Sequence, residues 1–140
     1  MPYRAVRHHR RAGGSIPRTL PEDAIDYHIG STQKDPASGK RYTDKARRLF
    51  SEDVCKAASN NFYSYGIEMA PIDVEGNFSE ATLQAAAELC ASILKRHDKT
   101  AKILTTHYET VGWKECPLLW AKNPALFEAF RERVRRFAAE

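Results

Sequence analysis

The clearest candidates for chemistry lie in one short stretch, residues 106–117. His107 is predicted at the C-terminal end of a strand, and Cys116 follows nine residues later in a loop that turns at Gly112. An imidazole and a thiolate that converge on one point favour zinc as the bound metal. At this spacing alone, a buried thiol near a loop histidine is the commoner explanation. The pair therefore needs support from its neighbours.

A carboxylate with space around it is the second candidate. Residues 62–71 are predicted to form a strand, and successive side chains of a strand point to opposite faces. Glu68 shares its face with Gly66 and Ala70, which are small, while larger apolar side chains occupy the other face. The arrangement leaves room beside the charge. The alternative is a structural carboxylate paired with a nearby base.

The elements that position these residues are predicted to be mixed. A helix is expected over residues 43–58 with an interruption near Ser51, and another over residues 79–95, capped by Ser79. Residues 102–106 read as the strand that delivers His107. Short strands are also predicted at residues 14–20 and 24–29, and Asn123-Pro124 should open a final helix. The predicted fold class is α/β, with helices packed on a small mixed sheet.

The two long helices provide the predicted core. On the helix over residues 79–95, apolar residues at helical spacing form a stripe of Leu83, Ala87, Cys90 and Leu94. On the last helix the corresponding stripe consists of Leu126, Phe127, Phe130, Val134 and Phe137. The charged residues of the last helix, Arg131 among them, are expected on its solvent face. Cys55 and Cys90 are predicted to be buried thiols. His97, near a helix end, is predicted to be a solvated cation.

Composition limits the class of protein. The 140 residues fit one soluble domain, and no apolar run approaches the roughly 20 residues of a membrane span. The net charge of +4 is uneven, since residues 1–19 hold five arginines and no acid, whereas the rest holds 17 basic and 18 acidic side chains. A basic arm of this kind suits nucleic acid, anionic lipid or an acidic wall polymer, although a solvated terminus is the simpler explanation. Three cysteines without paired spacing argue against a disulfide framework.

Four motifs follow one another along the chain: residues 20–30 with Tyr27 and His28, Asn61 followed by Gly66-Ile67-Glu68, His107-Tyr108 followed by Lys114 and Cys116-Pro117, and Asn123-Pro124 before the Phe-rich last helix. In this order they resemble the zinc-dependent N-acetylmuramoyl-L-alanine amidases, and in particular phage and prophage lysis enzymes (endolysins) and the related peptidoglycan recognition proteins. The resemblance runs from about Gly14 to the C-terminus.

The resemblance implies a function and a role for each site residue. Such a hydrolase cuts the amide bond between N-acetylmuramic acid and L-alanine in bacterial peptidoglycan. His107 and Cys116 would be ligands of Zn²⁺, which activates a water molecule and polarises the carbonyl. Glu68 would act as general base or orient the water, and Lys114 would stabilise the oxyanion. The remaining two residues of the site, Tyr27 and His28, would line the substrate groove. His28 could alternatively be a half-buried strand histidine. The alternative for Lys114 is a solvated loop cation.

The sequence departs from the family pattern at its beginning. A catalytic zinc site normally has three protein ligands, and the family's first histidine lies on an early strand that a helix follows. Residues 1–12 read neither as an apolar strand nor as an amphipathic helix. The expected organisation is therefore a basic arm over residues 1–13 and an amidase-like domain over residues 14–140 that lacks its first strand and helix. His8 and His9 are substitutes for the missing ligand, although paired histidines in an arginine-rich terminus are more often incidental.

Further expectations follow from this organisation. A missing strand leaves a sheet edge exposed, which predicts self-association. No secretory signal is recognised, so the protein is expected to be made in the cytoplasm and to reach the cell wall through another factor. One alternative function is a peptidoglycan-binding domain that has lost its zinc. Binding of nucleic acid is not expected, because the body lacks an arginine-rich helix or aromatic residues interleaved with charge.

Overall fold

Helices form most of the part of the chain that the structure describes. The computed structural model describes residues 8–10, 16, 21, 24–29, 33–57 and 59–139, with only the backbone described for residues 8–10 and 57. The described residues contain six α-helices: α1 Asp44–Phe50, α2 Glu52–Ala57, α3 Glu80–Arg96, α4 His107–Val111, α5 Leu118–Lys122 and α6 Pro124–Ala139. They also contain two 3-10 helices, Asn60–Tyr63 and Ala101–Ile103, and two strands, β1 His8–Arg10 and β2 Ile67–Met69. None of the helices in these ranges is long and apolar enough to cross a membrane.

The two strands form a parallel pair. In its register His8 lies opposite Ile67, His9 opposite Glu68 and Arg10 opposite Met69. The prediction that residues 1–12 contain no strand was therefore wrong. Backbone groups form the hydrogen bonds of such a ladder, so a three-residue strand can form without the apolar alternation on which the prediction relied. The sheet is nevertheless smaller than expected for a mixed α/β fold.

The helices α3, α5 and α6 enclose the larger core. Ser79 caps α3 as predicted, since its side chain accepts a hydrogen bond from the backbone N–H of Thr82. The buried residues of this core are Ala86, Ala87, Cys90, Ala91, Leu94, Ala101, Trp120, Phe127, Phe130 and Val134. Burial raises the pKa of the Cys90 thiol to about 12, in keeping with its predicted place in the core.

The last helix differs from its predicted amphipathic pattern at two positions. Leu126 is 37% exposed, whereas Arg131 is 6% exposed. Arg131 is buried because its guanidinium donates to the carbonyl oxygen of Leu104 at 2.7 Å and to Glu109 Oε2 at 3.1 Å. Helical periodicity alone places every arginine in solvent and cannot anticipate such partners.

A smaller core lies under α1, α2 and α4. Its buried residues are Ile29, Tyr42, Ala46, Cys55 and Val111. The predicted interruption of the 43–58 helix is confirmed at Ser51, whose φ of 70° ends α1. Cys55 is buried as predicted, and burial raises the pKa of its thiol.

Several predicted strands are replaced by other structure. Residues 102–106 contain the end of the second 3-10 helix and then extended chain, and His107 begins a helix. Residues 62–71 contribute only Ile67–Met69 to a strand, and residues 24–29 form none. The predicted strand at residues 14–20 lies outside the described residues except for Ile16. His97 is not a simple solvated cation either, because its Nε2 lies 2.8 Å from the hydroxyl of Tyr65.

Candidate metal and substrate site

Four of the six predicted site residues line one cavity. This cavity of about 570 Å³ lies between β2, α3 and α4, and His28, Glu68, His107 and Cys116 all contribute to its wall. They come from three segments of the chain, residues 24–29, β2 and residues 107–116, so the fold brings these segments together. Tyr27 is 73% exposed and does not line this cavity.

Helix α4 presents His107 at its first position. Thr106 caps the helix, and Glu109 completes a capping box with it. Nε2 of His107 donates a hydrogen bond to the carbonyl oxygen of Ile29. This bond leaves Nδ1 available to a metal, and metal-binding histidines usually donate their other ring N–H in this way.

The electrostatic surroundings of His107 favour its neutral form. Burial lowers the pKa of the imidazole, and the nearby Lys114 ammonium lowers it further. The hydrogen bond to Ile29 and the charge of Glu68 act in the opposite direction but do not prevail. A neutral imidazole is the form that binds a metal ion.

The loop after α4 returns Cys116 to the same helix. The backbone N–H of Tyr108 donates to the carbonyl oxygen of Cys116 at 3.0 Å. The backbone N–H of Cys116 donates to the carbonyl oxygen of Lys114 at 2.8 Å. Burial raises the pKa of the Cys116 thiol; Lys114 lowers it and Glu68 raises it. Without a metal the group is a thiol, and binding of zinc would displace its proton.

Glu68 lies on β2 and contributes to the wall of the cavity. Its neighbours Ile67 and Met69 pack against the larger core and also line this cavity. The charge of Glu68 raises the pKa of both His107 and Cys116. In β1, His9 occupies the register position opposite Glu68.

Lys114 belongs to the same electrostatic group but lines a different surface. It lies in a shallow depression with Tyr108 and Trp113, next to the main cavity. Its positive charge reaches both His107 and Cys116. A cation at this position opposes protonation of the imidazole and favours a thiolate.

His28 packs closely against the start of β2. A Cβ atom added to Gly66 would lie 2.7 Å from Cγ of His28, so only glycine permits this approach. The ring of His28 also lies within hydrogen-bond distance of Ser64 Oγ and of the Asp26 carbonyl oxygen, both at 3.0 Å. These contacts fix the position of the His28 ring in the wall of the cavity.

The donors present fit zinc in their chemistry, although the described residues supply only part of a site. A neutral imidazole and a thiol line the same cavity, and a zinc site of mixed nitrogen and sulfur ligands uses donors of these two kinds. Within the described ranges, no group of three or more His, Cys, Asp or Glu residues could hold a metal ion. The side chains of β1 are not among those described.

Glu109 holds α4 in place through contacts that were not predicted from the sequence. Oε2 of Glu109 accepts a hydrogen bond from the backbone N–H of Thr106 at 3.3 Å and one from Arg131 at 3.1 Å. Its other oxygen is paired with Lys45 of α1. The signal was present as the capping-box pattern Thr106-x-x-Glu109, which predicts a helix start at His107 in place of a strand end.

Comparison with known proteins settles the family. A family model described as N-acetylmuramoyl-L-alanine amidase matches residues 6–118, well over half of the chain. The chain belongs to the N-acetylmuramoyl-L-alanine amidase family. The match begins ahead of residue 14, where the motif resemblance begins, and it includes β1 with His8 and His9.

Curated relatives agree with this membership. A probable N-acetylmuramoyl-L-alanine amidase of Bacillus licheniformis is 34% identical over 74 residues, which are 53% of this chain and 20% of the relative. The N-acetylmuramoyl-L-alanine amidase BlyA of Bacillus subtilis (strain 168) is 23% identical over 117 residues, which are 83% of this chain and 29% of the relative. The chain therefore spans less than a third of the length of these relatives. No solved structure matches it.

Proposed function

We propose that this chain is a zinc-dependent hydrolase of the amide bond between N-acetylmuramic acid and L-alanine in bacterial peptidoglycan. Family membership supports the reaction class. The observation that carries the proposal is that His107 and Cys116, from one stretch of the chain, line the same cavity as Glu68 of β2. The mixed α/β amidase fold is part of the same proposal, with the β1–β2 pair as its sheet.

The proposed zinc ligands are Nδ1 of His107, Sγ of Cys116 and a histidine of β1. Residues opposite each other in a ladder share a face of the sheet. His9 lies opposite Glu68, which acts on the His107–Cys116 pair, whereas His8 lies opposite Ile67, which packs against the core. His9 is therefore the histidine of β1 that we favour as the third ligand.

Each side chain then has a defined part in the reaction. A zinc ion held by these ligands would supply a water of lowered pKa and would polarise the carbonyl oxygen of the scissile amide. Glu68 accepts a proton from the attacking water as the water oxygen bonds to the carbonyl carbon. Lys114 stabilises the negative charge that develops on the carbonyl oxygen. Glu68 then delivers the proton to the nitrogen of L-alanine as the carbon–nitrogen bond breaks, which yields a free amino terminus.

The groove for the substrate is proposed to include His28 and Tyr27. His28 lines the cavity, while exposed Tyr27 extends from the same segment. Peptidoglycan as substrate places the site of action at the bacterial cell wall, as expected of an endolysin-like or wall-remodelling enzyme. Self-association through the short sheet also remains a proposal, which light scattering would test.

Release of alanine amino termini from purified peptidoglycan tests the function. We expect release by the wild type, its loss with a zinc chelator and its return with added zinc. Glu68→Gln should reduce the rate by about 10²–10⁴-fold, because it removes the general base. Glu75→Gln, which alters an exposed carboxylate in the following loop, is the matched control and should retain the wild-type rate.

Two outcomes would contradict the proposal. Equal rates for Glu68→Gln and Glu75→Gln would remove Glu68 from the reaction. No release by folded, zinc-supplied protein that still binds peptidoglycan would favour the non-catalytic binding domain.

The third ligand is tested separately by zinc binding. His9→Ala should abolish stoichiometric zinc binding. The same loss in His8→Ala alone would assign the ligand to His8.

A further inference from the structure

A buried asparagine connects the 3-10 helix Asn60–Tyr63 to the candidate site. The side chain of Asn61 is 3% exposed, and its Oδ1 accepts a hydrogen bond from the backbone N–H of Ile29 at 2.8 Å. The carbonyl oxygen of the same Ile29 accepts the hydrogen bond from Nε2 of His107. One residue thus separates the amide of Asn61 from the imidazole.

We propose that Asn61 is a positioning residue: it fixes Ile29, and Ile29 fixes the tautomer and orientation of His107. The inference rests on the proposed role of His107 as a zinc ligand. With Nε2 committed to the Ile29 carbonyl as an N–H donor, Nδ1 carries the free electron pair with which the ring would bind a metal.

The need for Asn61 follows from the backbone around Ile29. Residues 24–29 belong to no helix or strand, so the buried N–H of Ile29 receives no partner from regular secondary structure. A buried backbone N–H requires an acceptor, and Asn61 provides it. A second side-chain contact, between His28 Nε2 and Ser64 Oγ at 3.0 Å, joins the same two segments.

An asparagine suits this position better than other residues of its size. Its carbonyl oxygen accepts a hydrogen bond without placing a charge in a buried site. Leucine has a similar volume and no acceptor, whereas aspartate keeps the acceptor. The substitutions Asn61→Leu and Asn61→Asp therefore separate the volume of the side chain from its hydrogen bond.

The chain also provides a matched control in the neighbouring residue. Asn60 lies in the same 3-10 helix and is 0% exposed. Its Oδ1 lies 3.6 Å from Cys55 Sγ, and its backbone N–H donates to the hydroxyl of Tyr42 at 3.2 Å. Asn60→Leu thus changes an equally buried residue of the same helix while leaving the hydrogen bond between Asn61 and Ile29 in place.

The experiment measures the ring of His107 directly. In metal-free ¹⁵N-labelled protein, at a pH where the imidazole is neutral, ring ¹⁵N shifts should report the Nε2–H tautomer for the wild type and for Asn61→Asp. Asn61→Leu should give a mixture of tautomers, while folded Asn60→Leu keeps the wild-type pattern. Asn61→Ala serves in its place if Asn61→Leu does not fold.

Competition with a chromophoric chelator gives the consequence for zinc. Asn61→Leu should raise the Kd for zinc by about 10-fold or more, the usual effect of losing an outer-shell partner, and Asn61→Asp should recover most of the affinity. A wild-type tautomer and Kd in Asn61→Leu, or an equal change in Asn60→Leu, would overturn the inference. A wild type that binds no zinc would instead refute the proposed function, and the tautomer comparison would still decide the role of Asn61.

Discussion

The helical half of the molecule, α3, α5 and α6, and the site half, residues 24–63 with β2 and residues 106–117, are stabilised by different forces. The core of the helical half has ten buried apolar residues, with the ring of Trp120 4.9 Å from that of Phe130 and 5.1 Å from that of Phe127. The apolar cluster of the site half has five buried residues. Most of the buried polar side chains, by contrast, belong to the site half: Asp35, Asn60, Asn61, Thr106 and Thr110.

This difference follows from what each half has to do. Apolar contacts are not directional, so they stabilise the fold without fixing the orientation of a particular ring or carbonyl. Hydrogen bonds are directional, and a metal site requires defined directions. Irregular segments such as residues 24–29 also leave backbone groups that only side chains can satisfy. The site half therefore gains precise geometry from polar contacts, while the helical half supplies most of the apolar stabilisation.

The largest expected effect lies in the helical half. Phe130→Ala removes a ring that contacts Trp120 and Phe127, and should lower the free energy of unfolding by about 3–5 kcal/mol. Leu126→Ala, on the exposed side of the same helix, should cost less than about 1 kcal/mol. Urea denaturation measures both. Similar losses in the two variants would contradict the assignment of the core.

The next effect tests the polar contact between the two halves. Glu109→Ala leaves the buried Arg131 without one of its acceptors and opens the capping box, so we expect a loss of roughly 2–3 kcal/mol. Arg133 lies on α6, as Arg131 does, and pairs with Glu80 of α3. The control variant Glu80→Ala removes this partner. Because the Glu80 side chain is 71% exposed, this control should cost less than about 1 kcal/mol. Equal costs in chemical denaturation would show that the buried pair has no special importance.

A smaller effect is expected at a tight turn of the site half. Gly112 has a φ of 77°, and a Cβ there would lie 2.0 Å from Oδ1 of Asp35. Gly39 has a φ of 67° with nothing within 4 Å, so Gly39→Ala reports backbone strain alone, about 1 kcal/mol. Gly112→Ala adds the displacement of Asp35 and should cost about 2 kcal/mol. Thermal unfolding would contradict the close approach if the two variants had the same Tm.

The smallest effect concerns acid stability. The side-chain hydrogen bond from Ser38 is the main cause that holds the pKa of Asp35 below its usual value. Because the pKa of this carboxyl is lower in the folded than in the unfolded protein, ionised Asp35 stabilises the fold at pH values above the unfolded pKa. This stabilisation is lost as the pH falls from the unfolded pKa to the folded pKa. The Tm difference between the wild type and Asp35→Asn should therefore be greatest near neutral pH and shrink below about pH 4. A difference that stays constant down to pH 3 would contradict this contribution.

The same contrast explains what could be predicted from the sequence. Helix α3 and the buried Cys90 follow from local spacing and a cap at Ser79, and the structure confirms them. Four of the proposed site residues line one cavity, whereas their roles stay predictions. The order of residues along a helix is local information, which a single sequence contains.

Long-range polar contacts could not be predicted in this way. Arg131 was assigned to solvent because its partners, Leu104 and Glu109, lie more than twenty residues away. The bond between Asn61 and Ile29 joins segments 32 residues apart and leaves no periodic pattern. The strand β1 was missed because its pairing depends on backbone groups, which every sequence provides.

The parallel pairing of β1 with β2 has a consequence for the order of folding. The two strands lie at opposite ends of the first half of the chain, so a long loop must close before the ladder forms. Helices α3 and α6 form their hydrogen bonds locally and should become structured earlier. We therefore expect the segments that carry the proposed zinc ligands to assemble last and to reopen first. Amide hydrogens of β2 should accordingly exchange with solvent faster than those in the middle of α3, and bound zinc should slow that exchange.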